Sequence, residues 1–323
     1  MKISVALCTY NGENYLKKQL DSILNQTIKV DEIVVCDDLS TDNSIVILNE
    51  YKEKYPDLFS ININVKNLKS NKNFEKAIQL CSGDYIFLSD QDDLWRKDKV
   101  EKTLEIFKNN PSAEGVFSNA SLIDDNDNVL FDNISLWDSV YFFESKIIKP
   151  IDLHRLLLLK GNYLTGATLC IKKEVKAFCF PFQTLDKIFL HDEWFAYILS
   201  ERKTLFYSTE NLISYRIHSN QQMGVGNIVK NAEKIKKSPK NMQIILGIIK
   251  PKSFKDYKIL TRTLFSQYEK YKKLKIDTFL DSEKVEKKLL EYYFDADKQM
   301  KKVNPILYFF RKWKDKKKGK RQI

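Results

Sequence analysis

The chain has 323 residues, 43% hydrophobic and 12% aromatic, which is enough apolar material for one sizeable core and excludes a disordered chain. Its net charge of +11 is concentrated: residues 301–323 hold eight Lys, two Arg and one Asp, a net +9, which leaves +2 for the remainder. A nearly neutral body argues against nucleic-acid binding, which asks for a basic face or stripe, whereas a basic end suits an anionic lipid surface.

The five cysteines, Cys8, Cys36, Cys81, Cys170 and Cys179, are odd in number, form no C-x-x-C pair and sit largely in apolar runs. That pattern suits a reducing cytoplasm and predicts no zinc site. Met1 leads straight into a strand-like run, so no signal peptide is expected. No stretch approaches 18 uninterrupted apolar residues, so no transmembrane helix is expected either.

Residues 2–8 read as a buried strand, and Thr9, Tyr10, Asn11 and Gly12 turn the chain. Over 13–26 the apolar positions Tyr15, Leu16, Leu20, Ile23 and Leu24 recur at helical spacing. A second strand over 32–36 ends at Asp37-Asp38, and Thr41-Asp42-Asn43 gives an N-cap signal for a helix to about residue 54. A third strand follows over 60–65, a short helix over 71–80, then the turn Ser82-Gly83-Asp84 and a fourth strand. This alternation predicts an α/β fold with a doubly wound, mostly parallel sheet whose ligand crevice lies at the strand carboxyl ends. The second half changes rhythm, with short strands over 114–118, 120–123 and 167–171, a helix over 192–200, and strands over 205–207 and 212–217. Beyond Gly224-Val225-Gly226 the strand pattern stops and Lys-rich amphipathic helices follow, so two parts are expected, 1–224 and 225–323.

The fourth strand, 85–88, ends in Ser89-Asp90-Gln91-Asp92-Asp93. Three carboxylates within four residues repel one another and cannot be buried unpaired at tolerable cost. At a strand's carboxyl end they stand where open α/β sheets bind ligands, and hard oxygen ligands there suit Mg²⁺ or Mn²⁺ bridging to a diphosphate. A solvated acidic turn would carry the same residues. Three more loops accompany it: Thr9-Tyr10-Asn11-Gly12, Cys36-Asp37-Asp38 and His191-Asp192-Glu193-Trp194.

As an ordered set these loops resemble the inverting glycosyltransferases of family 2, which have the GT-A fold, from about residue 3 to 224. Gly166-Ala167 and Tyr215-Arg216-Ile217-His218 extend the pattern, and Asp90-Gln91-Asp92-Asp93 with His-Asp before Trp is closest to the bacterial rhamnosyltransferase-like branch. The resemblance implies a nucleotide site at Thr9, Tyr10, Asn11 and Glu13, with Asp38 accepting the imide N–H of uracil or thymine. Taken alone, Asp38 would serve as a helix cap, as would Thr41 or Asp42. Leu39 and Lys69 stand where the family usually has glycine. Asn73 is expected near a helix start facing the nucleotide, where backbone N–H groups favour an anion; an ordinary N-cap is the alternative.

The resemblance further implies that Asp90 and Gln91 meet the ribose and donor sugar, that Asp93 bonds the sugar or orients Asp92, that Asp92 holds Mn²⁺ or Mg²⁺, and that His218 adds a ligand. Arg216 is expected to pair with the diphosphate, and Trp95 to wall the sugar pocket or pack in the core. Asp192 matches the catalytic base, with Glu193 either a fallback base or a residue that only faces solvent at the helix start, and Gly166 and Ala167 would leave room for an acceptor. A structural histidine at 218 and a capping acid at 192 are the competing readings.

The function implied is transfer of a sugar such as rhamnose from a dTDP or UDP donor to a polysaccharide or lipid-linked saccharide in bacterial surface glycan synthesis. A nucleotidyltransferase is the second reading, although residues 9–13 lack the Gly-rich, basic loop that holds a triphosphate; a degenerate membrane scaffold is the third. Phe309, Phe310 and Trp313 interleave with Lys and Arg in the basic tail, which reads as a solvated terminus or, as favoured here, a peripheral anchor at the inner face of the plasma membrane.

Overall fold

The computed structural model describes residues 1–140, 142, 150–182, 190–218, 244, 247, 249–273 and 282–321. The first half alternates as expected: β1 (Ile3–Thr9), α1 (Leu16–Leu24), β2 (Glu32–Asp37), α2 (Ser44–Lys54), β3 (Phe59–Ile63), α3 (Lys69–Leu80) and β4 (Tyr85–Ser89). There follow β5 (Leu94–Trp95), α4 (Lys99–Asn109), β6 (Gly115–Ile123), α5 (Leu136–Val140), α6 (Pro150–Lys160), β7 (Cys170–Lys172), α7 (Lys176–Cys179), α8 (His191–Glu201) and β8 (Leu205–Arg216). Three longer helices come last: α9 (Phe254–Lys273), α10 (Ser282–Val303) and α11 (Pro305–Lys317).

The eight strands form one sheet in the order β3-β2-β1-β4-β7-β6-β8-β5. Only β7 and β5 run against the others, so β1, β2, β4, β6 and β8 present their carboxyl ends along one edge. All seven residues of β1 are buried, as befits a central strand covered on both faces. Thr9 pairs with Asp37 and Leu7 with Ser89, which brings the first, second and fourth loops to one level.

The paired short strands of the second half are two continuous ones, β6 and β8. The gaps expected at 119 and 208–211 are a bulge: Ser118 pairs with Ser208 but Asn119 with Asn211. Gly166–Thr168 is a 3₁₀ turn before β7, and α3 begins at Lys69 rather than 71. Helices α4, α5 and α6 lay outside the sequence reading. In α4 the buried stripe Val100, Thr103, Leu104, Phe107 also contains Lys99.

Leu39 and Lys69 both take φ of +66°, the left-handed conformation that glycine adopts without cost. A side chain there costs roughly 1–2 kcal/mol, against about 0.5–1 kcal/mol for glycine's extra freedom when unfolded. Leu39→Gly should therefore melt at or above the wild-type temperature, whereas the β-branched Leu39→Val should lose more than about 1 kcal/mol. Denaturant melts of the two variants check this.

The chain forms two compact units, Met1–Ile151 with Asn162–Lys236, and Asp152–Gly161 with Lys237–Ile323. The boundary expected at 224/225 lies outside the described residues. In the second unit, Thr261, Leu264, Tyr268 and Tyr271 of α9 and Val285, Leu289, Tyr293, Ala296 and Met300 of α10 are buried at helical spacing. Among the described residues no helix is long and apolar enough to cross a membrane. All five cysteines are free and buried.

Candidate active site

The loops after β1 and β2 are laced together. Asn11, at φ of +51°, accepts the Thr41 N–H through Oδ1 at 2.8 Å and donates its own N–H to Ser40 Oγ at 2.9 Å. Glu13 Oε2 accepts from the backbone and side chain of Asn43 at 2.9 and 2.7 Å. Gln91 reaches across from the β4 loop and grips the Tyr10 peptide: Tyr10 N–H donates to Oε1 at 2.7 Å and Nε2 donates to Tyr10 O at 3.0 Å. A Cβ on Gly12 would lie 2.3 Å from Gln91 Oε1, so this grip needs glycine. Tyr10 stays 40% exposed at the rim. Thr9, expected at the nucleobase, is instead buried and donates to Asp37 Oδ2 at 2.7 Å.

Asp38 is buried and accepts from Leu68 N–H at 2.6 Å, Lys69 N–H at 2.9 Å and Asn64 Nδ2 at 2.9 Å. That uses three of about four acceptor positions on a carboxylate and leaves one. Asn73 does not start a helix: it lies in the second turn of α3, buried, accepting from Asn64 Nδ2 and donating to Cys36 O, each at 2.8 Å. It holds the pocket wall and has no helix-end amide to offer a phosphate.

At the end of β4, Asp90 and Asp92 are half-buried and Asp93 is buried. Burial, then the charges of Asp92 and Asp192, push Asp90 up to about 7. Burial also raises Asp93 well above the ordinary carboxylate range; its Oδ1 accepts Arg216 N–H at 3.0 Å, while Oδ2 has no partner among the described residues. Asp92 Oδ2 stands 2.9 Å from His218 Nε2.

Arg216 is fully buried, and this corrects its expected pairing with a diphosphate. Its guanidinium donates to Asp92 O at 2.7 Å, Asp124 O at 2.6 Å and Asp127 Oδ1 at 2.5 Å, and lies 4.6 Å from the Tyr15 ring centroid. It sets the backbone that carries Asp92. Tyr15 in turn donates to Asp125 at 2.5 Å and places its ring 5.0 Å from that of His218.

Beneath the acidic loop is Lys99, 1% exposed, which sequence reading did not single out. Nζ donates to Ala167 O at 2.8 Å and lies 3.9 Å from the Trp95 ring centroid. Burial pulls it down to about 7, against the attraction of Asp93, Cys170 and Asp90. One signal for it exists: a lysine on the apolar stripe of a helix. Trp95 packs in the core, 5% exposed.

At the start of α8, Asp192 is half-buried, and its Oδ1 accepts Glu193 N–H at 2.7 Å. Burial, then Glu193, raises it to about 7. Glu193 itself is buried rather than solvent-facing. The room left by Gly166 is filled by His191: a Cβ there would lie 2.7 Å from His191 Nε2. The His191 ring stacks 4.2 Å from Phe74, and burial holds it neutral, down to about 3.

The metal expectation meets a suitable donor pair. A carboxylate oxygen and an imidazole nitrogen converge at Asp92 and His218, both partly accessible. Among the described residues no group of three or more His, Cys, Asp or Glu is arranged around a metal position. Two protein ligands, with the rest left to phosphate and water, is the usual pattern for Mg²⁺ or Mn²⁺ at a diphosphate.

Residues 4–163 match the family described as Glycosyl transferase family 2. The dTDP-rhamnosyl transferase RfbG of Shigella flexneri is 31% identical over 238 residues, 68% of this chain and 73% of that protein. The chain belongs to glycosyltransferase family 2. An uncharacterized glycosyltransferase of Nostoc sp. is 30% identical over 240 residues, 72% of this chain and 70% of that protein. This family 2 enzyme also shares its fold with the mannosyltransferase PcManGT of Pyrobaculum calidifontis, solved with GDP-Man and Mn²⁺. The TM-score is 0.54 and the identity 14%, over 97% of this chain and 82% of that one. The fold is GT-A, as the order of loops implied.

Proposed function

We propose that this glycosyltransferase is a metal-dependent, inverting enzyme. It moves rhamnose from a dTDP or UDP donor to a polysaccharide or lipid-linked saccharide of a bacterial surface glycan, at the inner face of the plasma membrane. The observation that carries the reading is that Asp192 and Asp92 both act electrostatically on Asp90. A candidate base and a candidate metal ligand therefore lie close enough to Asp90 for both charges to act on it. The relatedness to a dTDP-rhamnosyl transferase supports the donor, and the Mn²⁺ in a neighbour of the same fold supports the metal.

In this reading the rim residues Tyr10, Asn11 and Glu13 frame the nucleobase, and Asp38 offers its remaining acceptor position to the imide N–H. Asp90 and Gln91 line the ribose and donor sugar, and buried Asp93 orients Asp92. Asp92 and His218 hold the divalent ion, which when bound neutralises charge on the departing diphosphate. Asp192 takes the acceptor hydroxyl proton as that oxygen bonds to the anomeric carbon. The bond from this carbon to the diphosphate oxygen breaks on the opposite face, and the nucleoside diphosphate leaves with the electron pair. A base held near pH 7 is matched to that task.

Turnover of dTDP-rhamnose, UDP-sugars and GDP-sugars, followed by nucleoside diphosphate release and by NMR of the product's anomeric proton, tests the reading. Release from the dTDP or UDP donor with an inverted product is expected. A retained configuration would remove the single-displacement mechanism. Pyrophosphate release from a nucleoside triphosphate would favour a nucleotidyltransferase, and failure to bind any nucleotide a scaffold.

A further inference from the structure

We infer that the outer face of α11 is a docking surface for an anionic lipid bilayer, on which the helix lies flat. The inference deepens the membrane location proposed above by naming the residues and the lipid chemistry. Helix α11 is firmly started: Asn304 Oδ1 accepts Leu307 N–H at 2.9 Å, and Pro305 follows at the first helical position. Its amphipathicity is inverted. The inward side is polar: Tyr308 donates to Asp297 at 2.6 Å, Lys312 pairs with Asp297 at 3.2 Å, and buried Arg311 donates to Thr261 Oγ1 at 2.9 Å.

The large apolar residues point out instead. Ile306, Phe309, Phe310 and Trp313, spaced i, i+3, i+4 and i+7, are 70%, 67%, 59% and 56% exposed. A contiguous apolar stripe turned to water marks a surface made for an apolar partner. The charges around it choose which partner. Lys314, Lys316, Lys317, Lys318 and Lys320 are exposed. No carboxylate of the described residues pairs with any of these five. Lys317 Nζ lies 5.3 Å from the Trp313 ring centroid. A second copy would bring the same lysines face to face. An anionic bilayer takes the aromatic stripe into its interface and the lysines onto its phosphates. Among the described residues no helix can span a membrane, so the contact is interfacial.

Sedimentation of the full chain with vesicles of phosphatidylcholine, alone or with phosphatidylglycerol, tests this. Binding is expected only with phosphatidylglycerol, falling about fivefold for each Lys→Gln change at 314, 316, 317, 318 or 320. Phe309→Ser with Phe310→Ser should abolish binding with every lysine in place. Of the four tryptophans, Trp95, Trp137 and Trp194 are 5% exposed or less, so quenching by brominated phosphatidylglycerol should report Trp313. No binding to anionic vesicles, or equal binding to neutral ones, would overturn the inference. So would concentration-dependent self-association that the double serine variant loses, which would assign the face to a second copy. Nucleoside diphosphate release from the donor is measured in the same preparations, so loss of docking and loss of transfer are scored separately.

Discussion

Asp192→Asn should lower kcat by about 10²–10⁴-fold, the usual worth of a positioned general base, while donor binding persists. The amide keeps the shape and still accepts Glu193 N–H, but it cannot take a proton. The wild-type pH profile follows from the same burial. With Asp192 raised to about 7, kcat/KM rises with pH up to about 7 and is level above it. The stability effect has the opposite sign. An acid whose folded value lies above its unfolded one keeps its proton longer in the fold, so the fold loses stability as pH rises from about 4 to about 7. Asp192→Asn removes that loss and should be about 1–2 kcal/mol more stable than wild type at pH 8. Lower turnover with higher stability is a pairing that misfolding cannot produce. Retained turnover would remove Asp192 as the base.

Lys99→Met should be the most damaging change to the buried layer. Methionine fills the stem's volume but supplies no cation beside Asp93 and Asp90 and no donor for Ala167 O. Leaving buried carboxylates without their counter-charge costs about 3–5 kcal/mol. The cost should be larger at pH 7, where Lys99 is still partly protonated and Asp90 partly ionised, than at pH 5, where the carboxylates hold their protons. Urea melts of wild type and Lys99→Met at the two pH values measure it. A loss that is equal at both would mean that Lys99 acts through packing and the Ala167 contact alone.

The fold was legible wherever periodicity and turn chemistry agreed. Strands β1 to β4 are short apolar runs closed by polar turns, and the loops they deliver could be placed without coordinates. Leu39 and Lys69, which looked like departures from a glycine pattern, adopt the glycine conformation, so the turns survive the substitution. Residue type misled where a polar side chain is spent inside the protein. Thr9, Asn73 and Arg216 carry chemistry suited to a ligand, yet each is buried in bonds to Asp37, to Asn64 and Cys36, or to Asp92, Asp124 and Asp127. Partners 9 to 124 positions away leave no trace in local spacing. Lys99 was hidden for the converse reason, since its carboxylate neighbours belong to another loop. The inverted face of α11 was half visible: the aromatic and basic residues were plain, but only packing tells which side turns inward.

Thermal melting with dTDP-rhamnose, in Mn²⁺ and in EDTA, for wild type and Asp92→Ala, addresses the crevice as a metal-dependent donor site. At ligand a hundredfold above Kd, wild type in Mn²⁺ should gain about 2.7 kcal/mol. EDTA or the Asp92→Ala change should remove that gain. Equal stabilisation with and without the metal, or in Asp92→Ala, would contradict the assignment of Asp92 and His218 to the ion.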